Sequence, residues 1–97
     1  MVELTLVSET QRPLRPIVEN ALANELRLQE AGIQRTEQRL REFEARYQMT
    51  TEEFLRRYES NQLGETLDYA EWIGESRLLQ RQRDKADTLR GIHFAGQ

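Results

Sequence analysis

Few side chains in this sequence could do acid–base, nucleophilic or metal chemistry, and none is set out to do it. His93 is the single histidine; it sits among glycines near the end of the chain, with no cysteine anywhere and no second histidine. A metal site or a proton relay needs such companions. Glu52 with Glu53, and Asp68 with Glu71, have the residue types of a general acid and base, but a carboxylate pair needs a cleft and unequal environments. Both pairs fall where helices are expected to begin, and there an acid already has a role against the helix dipole. Ser8, Ser60 and Ser76 have no base near them in sequence, and there is no glycine-rich phosphate loop. The expectation is a chain with no catalytic residues, no cofactor and no metal, which is not an enzyme and acts by binding.

Arginine is the other chemistry-bearing residue. Lys85 is the only lysine; the remaining basic side chains are arginines, whose planar fork suits carboxylate and phosphate. They cluster as Arg35, Arg39, Arg41 and Arg46, then Arg56 and Arg57, then Arg77, Arg81, Arg83 and Arg90. Acids are interleaved with them, many at helical spacing, as in Glu37–Arg41 and Glu42–Arg46. Interleaving cancels the field that would track a phosphate backbone. Leu78 to Arg90 is the one locally basic stretch, and Arg81, Arg83 and Arg90 are the candidate nucleic-acid contacts, in a reading that a solvated charged helix face outweighs.

The elements that position these residues are helices. Residues 1–10, MVELTLVSET, alternate Val2, Leu4 and Leu6 with Glu3 and Thr5, the pattern of a strand. No second strand is visible to pair with it, so it is expected as a strand that joins a copy of itself or a partner's sheet, or as an arm. Pro13 and Pro16 then disfavour helix in Arg12 and Arg15, and Pro16 suits the first position of a helix. A long helix is expected over 16–47, about 48 Å at 1.5 Å per residue. Its seam steps by four and three through Leu22, Leu26, Gln29, Ile33, Thr36, Leu40, Phe43 and Tyr47, as in a coiled coil with polar interruptions. Gly32, in its middle, marks a bend, a break or a close crossing.

A short helix follows over 51–62. Thr50 or Thr51 is its cap, Thr50 and Glu53 fit a capping box, and Gly64 is the expected left-handed stop. Asp68 and Glu71 repeat the capping pattern before a third helix over 67–90, whose better face is Tyr69, Trp72, Ile73, Leu79 and Ala86. Residues 91–97 read as a loose tail in which Phe94 is a plug for a partner's pocket.

The middle of the chain carries a family likeness. Phe43, Tyr47, Met49, Glu53, Phe54 and Tyr58, then Leu63–Gly64, then Asp68, Tyr69, Glu71 and Trp72 form a pattern that resembles small helical antitoxin-like proteins of prokaryotic toxin–antitoxin modules. The likeness covers about a third of the chain. The family usually carries glycine between the tyrosine and the methionine, where this chain has Gln48. The resemblance implies a neutralising or regulatory partner of another protein. Read without it, the same rings are core aromatics that supply much of the buried area.

Composition agrees with a chain that does not complete itself. Ninety-seven residues make one domain. Hydrophobic residues are 37% and charged residues 32%, with net charge −3, against about 45–50% apolar in a compact globule. No apolar run reaches a membrane span and no signal peptide is visible, so a cytoplasmic protein is expected. The fold expected is all-α: a long, a short and a medium helix preceded by one N-terminal strand or arm. Its function is expected to be protein binding, as an antitoxin-like subunit in a homo- or hetero-oligomer, through Val2, Leu4, Leu6, Tyr69, Trp72, Ile73, Leu79 and Phe94. The alternatives are a structural subunit that pairs its long helices and a nucleic-acid-associated accessory subunit.

Overall fold

The computed structural model describes residues 1–95; Gly96 and Gln97, the last positions of the expected tail, lie outside the described residues. Three helices form the body: α1 (Arg15–Tyr47), α2 (Thr51–Glu59) and α3 (Leu67–Arg90). The all-α expectation holds. The N-terminal strand does not: among the described residues no strand is present, and residues 1–8 are exposed, non-helical chain. A strand is defined by its ladder, and here nothing lies beside the arm to supply one. Pro16 stands at the second helical position of α1 rather than the first.

α1 and α3 run antiparallel along the seam read from the sequence, with Gly32, Thr36, Leu40 and Phe43 of α1 buried against Trp72, Leu79 and Ala86 of α3. Gly32 does not break the helix, which is continuous from Arg15 to Tyr47. It is a close crossing: a Cβ there would sit 2.8 Å from Nε2 of Gln82. The buried Thr36 hydroxyl donates back to the Gly32 carbonyl at 3.0 Å, so it adds no orphan polar group to the seam.

Ion pairs run along both flanks of this hairpin. On one, Glu37 meets Arg83 at 2.9 Å and Glu30 meets Arg90 at 3.2 Å. On the other, Arg39 meets Glu75 and Arg46 meets Asp68, both at 2.8 Å. Lys85 reaches Glu25 at 2.8 Å. Exposed pairs of this kind contribute little each; their effect is on register and orientation, as flanking charges do in coiled coils. They also replace the expected pairs within α1: Glu37 and Arg46 turn to α3 instead of to Arg41 and Glu42.

The caps are partly reassigned. Thr50 is the cap of α2, its hydroxyl accepting from the Glu53 N–H at 3.1 Å. Only that half of the capping box forms, because Glu53 turns forward to Arg56 and Arg57. Glu44 at the end of α1 takes the Thr51 N–H at 2.7 Å instead. Thr66, not Asp68, caps α3 by accepting from the Tyr69 N–H. α2 stops at Glu59 rather than Gln62, and the left-handed residue after it is Asn61 at φ 58° rather than Gly64. Gln48, which ends α1, is also left-handed, at φ 54°.

The molecule is long and thin, 61 × 24 × 21 Å, with a radius of gyration of 19.3 Å. A compact chain of this length would have about 12–13 Å. Its accessible surface is 7797 Å², where a compact protein of its mass would show about 5,800 Å².

Candidate functional site

The two ends of the hairpin differ. At the closed end, where α2 crosses from α1 to α3, six aromatic rings pack together. Phe54 and Trp72 stack with centroids 4.0 Å apart and planes within 3°, Phe43 stacks on Trp72 at 5.5 Å, and Tyr47 and Tyr69 lie at 5.4 Å. Tyr58 joins Phe54 at 5.9 Å. Trp72 Nε1–H donates to the Thr51 hydroxyl at 2.9 Å, which satisfies the polar edge of a ring that is 0% exposed. Asp68 receives the Tyr47 hydroxyl at 2.5 Å and Arg46 at 2.8 Å. The Tyr47 hydrogen bond, with Arg46 beside it, holds the Asp68 carboxyl below the usual carboxylate range, and the same bond raises the Tyr47 phenol.

This closed end accounts for several expected partner contacts by burying them. Trp72 and Leu79 lie in the core, and Tyr69 and Ile73 pack half-buried against it. They hold the hairpin shut and present little to a partner. From Gly32 to Phe43 the seam of α1 is likewise occupied by α3.

Of the four acids considered for catalysis, Glu53 and Asp68 are engaged by neighbours, while Glu52 and Glu71 are exposed. Glu53 is held down to about 2 from its ordinary 4.5 by hydrogen bonds from Arg56 and Arg57. Asp68 is bound to Tyr47 and Arg46. Among the described residues no group of three or more His, Cys, Asp or Glu could hold a metal ion. Arg39, Glu42, Phe43, Arg46, Glu71, Gly74 and Glu75 line a shallow groove of about 420 Å³, whose arginines are already paired to acids. Of the three candidate nucleic-acid contacts, Arg83 and Arg90 are paired across the hairpin; Arg81 is exposed, with no ion pair among the described residues.

The open end is the reverse of the closed one. Arg90, the last residue of α3, pairs with Glu30, so α1 runs on past α3 for its first turns. The chain after α3 folds back over them, and the Arg15 guanidinium lies 5.1 Å from the centroid of the Phe94 ring. Leu22, Ala23, Leu26, Leu89, Ile92 and Phe94, together with Glu19 and Arg90, line a groove of about 380 Å³ there. On the opposite stripe of α1 Ile17 is 62% exposed and Leu28 65%, and the chain before α1 carries Val2 at 96%, Leu4 at 83%, Leu6 and Val7. Leu67 excepted, the large exposed hydrophobics among the described residues fall in residues 1–7, at Ile17 and Leu28 of α1, and at Ile92. Of the expected contacts, the structure places Val2, Leu4, Leu6 and Phe94 here. Ile17, Leu28 and Ile92 were missed by the sequence reading: Leu28 lies off the seam, and the spacing of Ile17 and Leu28 on a second stripe of α1 was the available signal.

The open end presents alkyl groups to water, and residues 1–8 are exposed, non-helical chain. Among the described residues no helix is long and apolar enough to cross a membrane. No protein-family model, curated protein or solved structure matches the chain.

Proposed function

We propose that this chain is a non-enzymatic protein-interaction subunit, most concretely an antitoxin-like subunit that binds and neutralises or regulates a partner protein. The observation that carries the reading is the N-terminal arm, with Val2, Leu4 and Leu6 in alternation and exposed. Large apolar side chains left in water mark an interaction site when a partner covers them. The arm suits strand addition, in which main-chain groups extend a partner's sheet and alternate side chains enter its pockets. The resemblance over Phe43 to Trp72 supports the antitoxin-like form of the reading, and the aromatic end it covers is the rigid clasp that holds the hairpin behind the docking surface. The arrangement of Arg83 and Arg90 against Glu37 and Glu30 weighs against nucleic acid as the partner.

The experiment is co-expression with the product of the adjacent gene, followed by capture through a C-terminal tag. A stoichiometric complex is expected, lost on Leu4→Asp together with Leu6→Asp and kept on Arg81→Ala. A chain that captures nothing, or a complex indifferent to the arm, overturns the proposal.

A further inference from the structure

The N-terminal arm left exposed by one copy of this chain has a sequence that can pair with its own copy. The chain as a whole exposes about 2,000 Å² more than a compact protein of equal mass, and a stable interface needs about 800 Å² from each partner. We propose that two copies join at their open ends, the N-terminal arms pairing antiparallel across a two-fold axis with Leu4 opposite its own symmetry mate. The pairing does not depend on the antitoxin-like reading, because it needs no other protein, and a two-stranded ribbon leaves both outer edges open to a partner's strand.

The sequence of the arm selects that register. Centred on Leu4, an antiparallel pair sets Val2 against Leu6, Met1 against Val7 and Glu3 against Thr5. Val2, Leu4 and Leu6 then form one unbroken apolar face, and no two charges of like sign are opposed. Centred on Glu3, the two carboxylates would face each other. Centred on Thr5, Val2 would face Ser8 and Val7 would face Glu3. A shift of one residue moves the whole apolar set off its face, so register is strongly specified where one face is buried.

An isolated two-stranded ribbon is marginal in water. This one has something to lie on. The groove of Leu22, Leu26, Leu89, Ile92 and Phe94, edged by Glu19 and Arg90, lies on the first turns of α1, which follow the arm. The two-fold axis runs perpendicular to the ribbon, so two such end surfaces would lie on the same side of it, that of Val2, Leu4 and Leu6. The interface is isologous, so it closes at two copies and does not propagate. The chain's own arm leaves the groove uncovered: residues 1–8 are exposed throughout.

The test uses the purified full-length chain alone. Light scattering after gel filtration is expected to give twice the chain mass of 11.5 kDa. Leu4→Asp is expected to halve it while leaving the helical circular dichroism unchanged, since Leu4 is 83% exposed in its own chain. The chain has no cysteine, so single cysteines report the register directly. Leu4→Cys is expected to cross-link under mild oxidation, because directly opposed residues lie about 4.5–5.5 Å apart at Cα, within disulfide reach. Glu3→Cys is expected not to, since its mate lies two residues off. A wild-type mass of 11.5 kDa, a dimer untouched by Leu4→Asp, or Glu3→Cys cross-linking as readily as Leu4→Cys overturns the pairing. Loss of partner capture with the dimer intact would count against the antitoxin-like reading and not against this one.

Discussion

The closed end and the open end of this hairpin divide a small stock of hydrophobic residues in opposite ways. The closed end has nearly all the aromatics, which are large and rigid, and turns them inward so that Phe54 and Trp72 are 0% exposed. Its polar edges are answered inside the chain, Trp72 by Thr51 and Tyr47 by Asp68. The open end has aliphatics, spread over an arm and the overhang of α1, and leaves them facing water. Few residues can bury much area if they are aromatic and stacked; the same number of Val and Leu on an extended arm need a second surface. The difference places the buried aromatic core at one end and exposed aliphatics at the other, and that contrast can be attacked directly.

The largest effect should come from Trp72→Ala. Removing a buried ring stacked on Phe43 and Phe54 should cost about 3–5 kcal/mol, read from urea unfolding followed by circular dichroism. Leu28→Ala, at a 65% exposed position, should change the same measurement by no more than about 0.5 kcal/mol. Equal losses at the two positions would erase the distinction between the ends.

Much of this was legible in the sequence, and the reasons for the rest are specific. The seam from Leu22 to Tyr47 is a matter of local spacing, and all eight of its positions are buried or half-buried. The same local reasoning gave α1 to within a residue and the bounds of α3. It went astray where a partner from elsewhere in the chain won. Arg83 and Arg90 look free beside their neighbours, but the antiparallel turn brings them to Glu37 and Glu30. Asp68 looks like a cap, but Tyr47 and Arg46 claim it and Thr66 takes the role. Trp72 was a candidate contact because tryptophan anchors interfaces as well as cores, and spacing alone does not separate the two. The strand reading of residues 1–10 was a reading of composition without a ladder.

The next effect tests how the closed end is entered. Gln48 ends α1 at φ 54°, a left-handed conformation that costs a residue with a Cβ about 1–2 kcal/mol and glycine little. Glycine's greater freedom in the unfolded chain returns part of that. Gln48→Gly should therefore stabilise the fold by about 1 kcal/mol, with the helical signal unchanged. A loss of stability would mean that the Gln48 side chain, which donates to the Ala45 carbonyl at 2.7 Å, matters more than the backbone strain.

Two glycines sharpen the comparison along the length of the hairpin. Gly74 lies in α3 with nothing within 4 Å of where its Cβ would be, whereas Gly32 faces Gln82 at 2.8 Å. Gly74→Ala should gain close to the full helix-propensity difference of about 1 kcal/mol. Gly32→Ala should gain less, because the Gln82 amide must swing aside. If Gly32→Ala gains as much as Gly74→Ala, the crossing is not close.

The smallest effect is electrostatic and separates α2 from the rest of the closed end. Glu53 titrates at about 2 in the folded chain, against 4.5 ordinarily, because Arg56 and Arg57 hydrogen-bond its charged form. A folded value below the unfolded one means the stabilisation is fully present above pH 4.5 and is lost as pH falls from there toward 2. Asp68, lowered from 3.8 first by the Tyr47 hydroxyl and then by Arg46, acts in the same direction, over a window that opens at its own ordinary value. The urea midpoint should therefore fall on acidification. Glu53→Gln should flatten the upper part of that fall and Asp68→Asn the lower part. Both groups are reached by solvent, so the changes should be modest and should shrink in high salt. A midpoint that rises on acidification, or one whose fall survives both substitutions unchanged, would show that these carboxylates do not help to clasp the closed end.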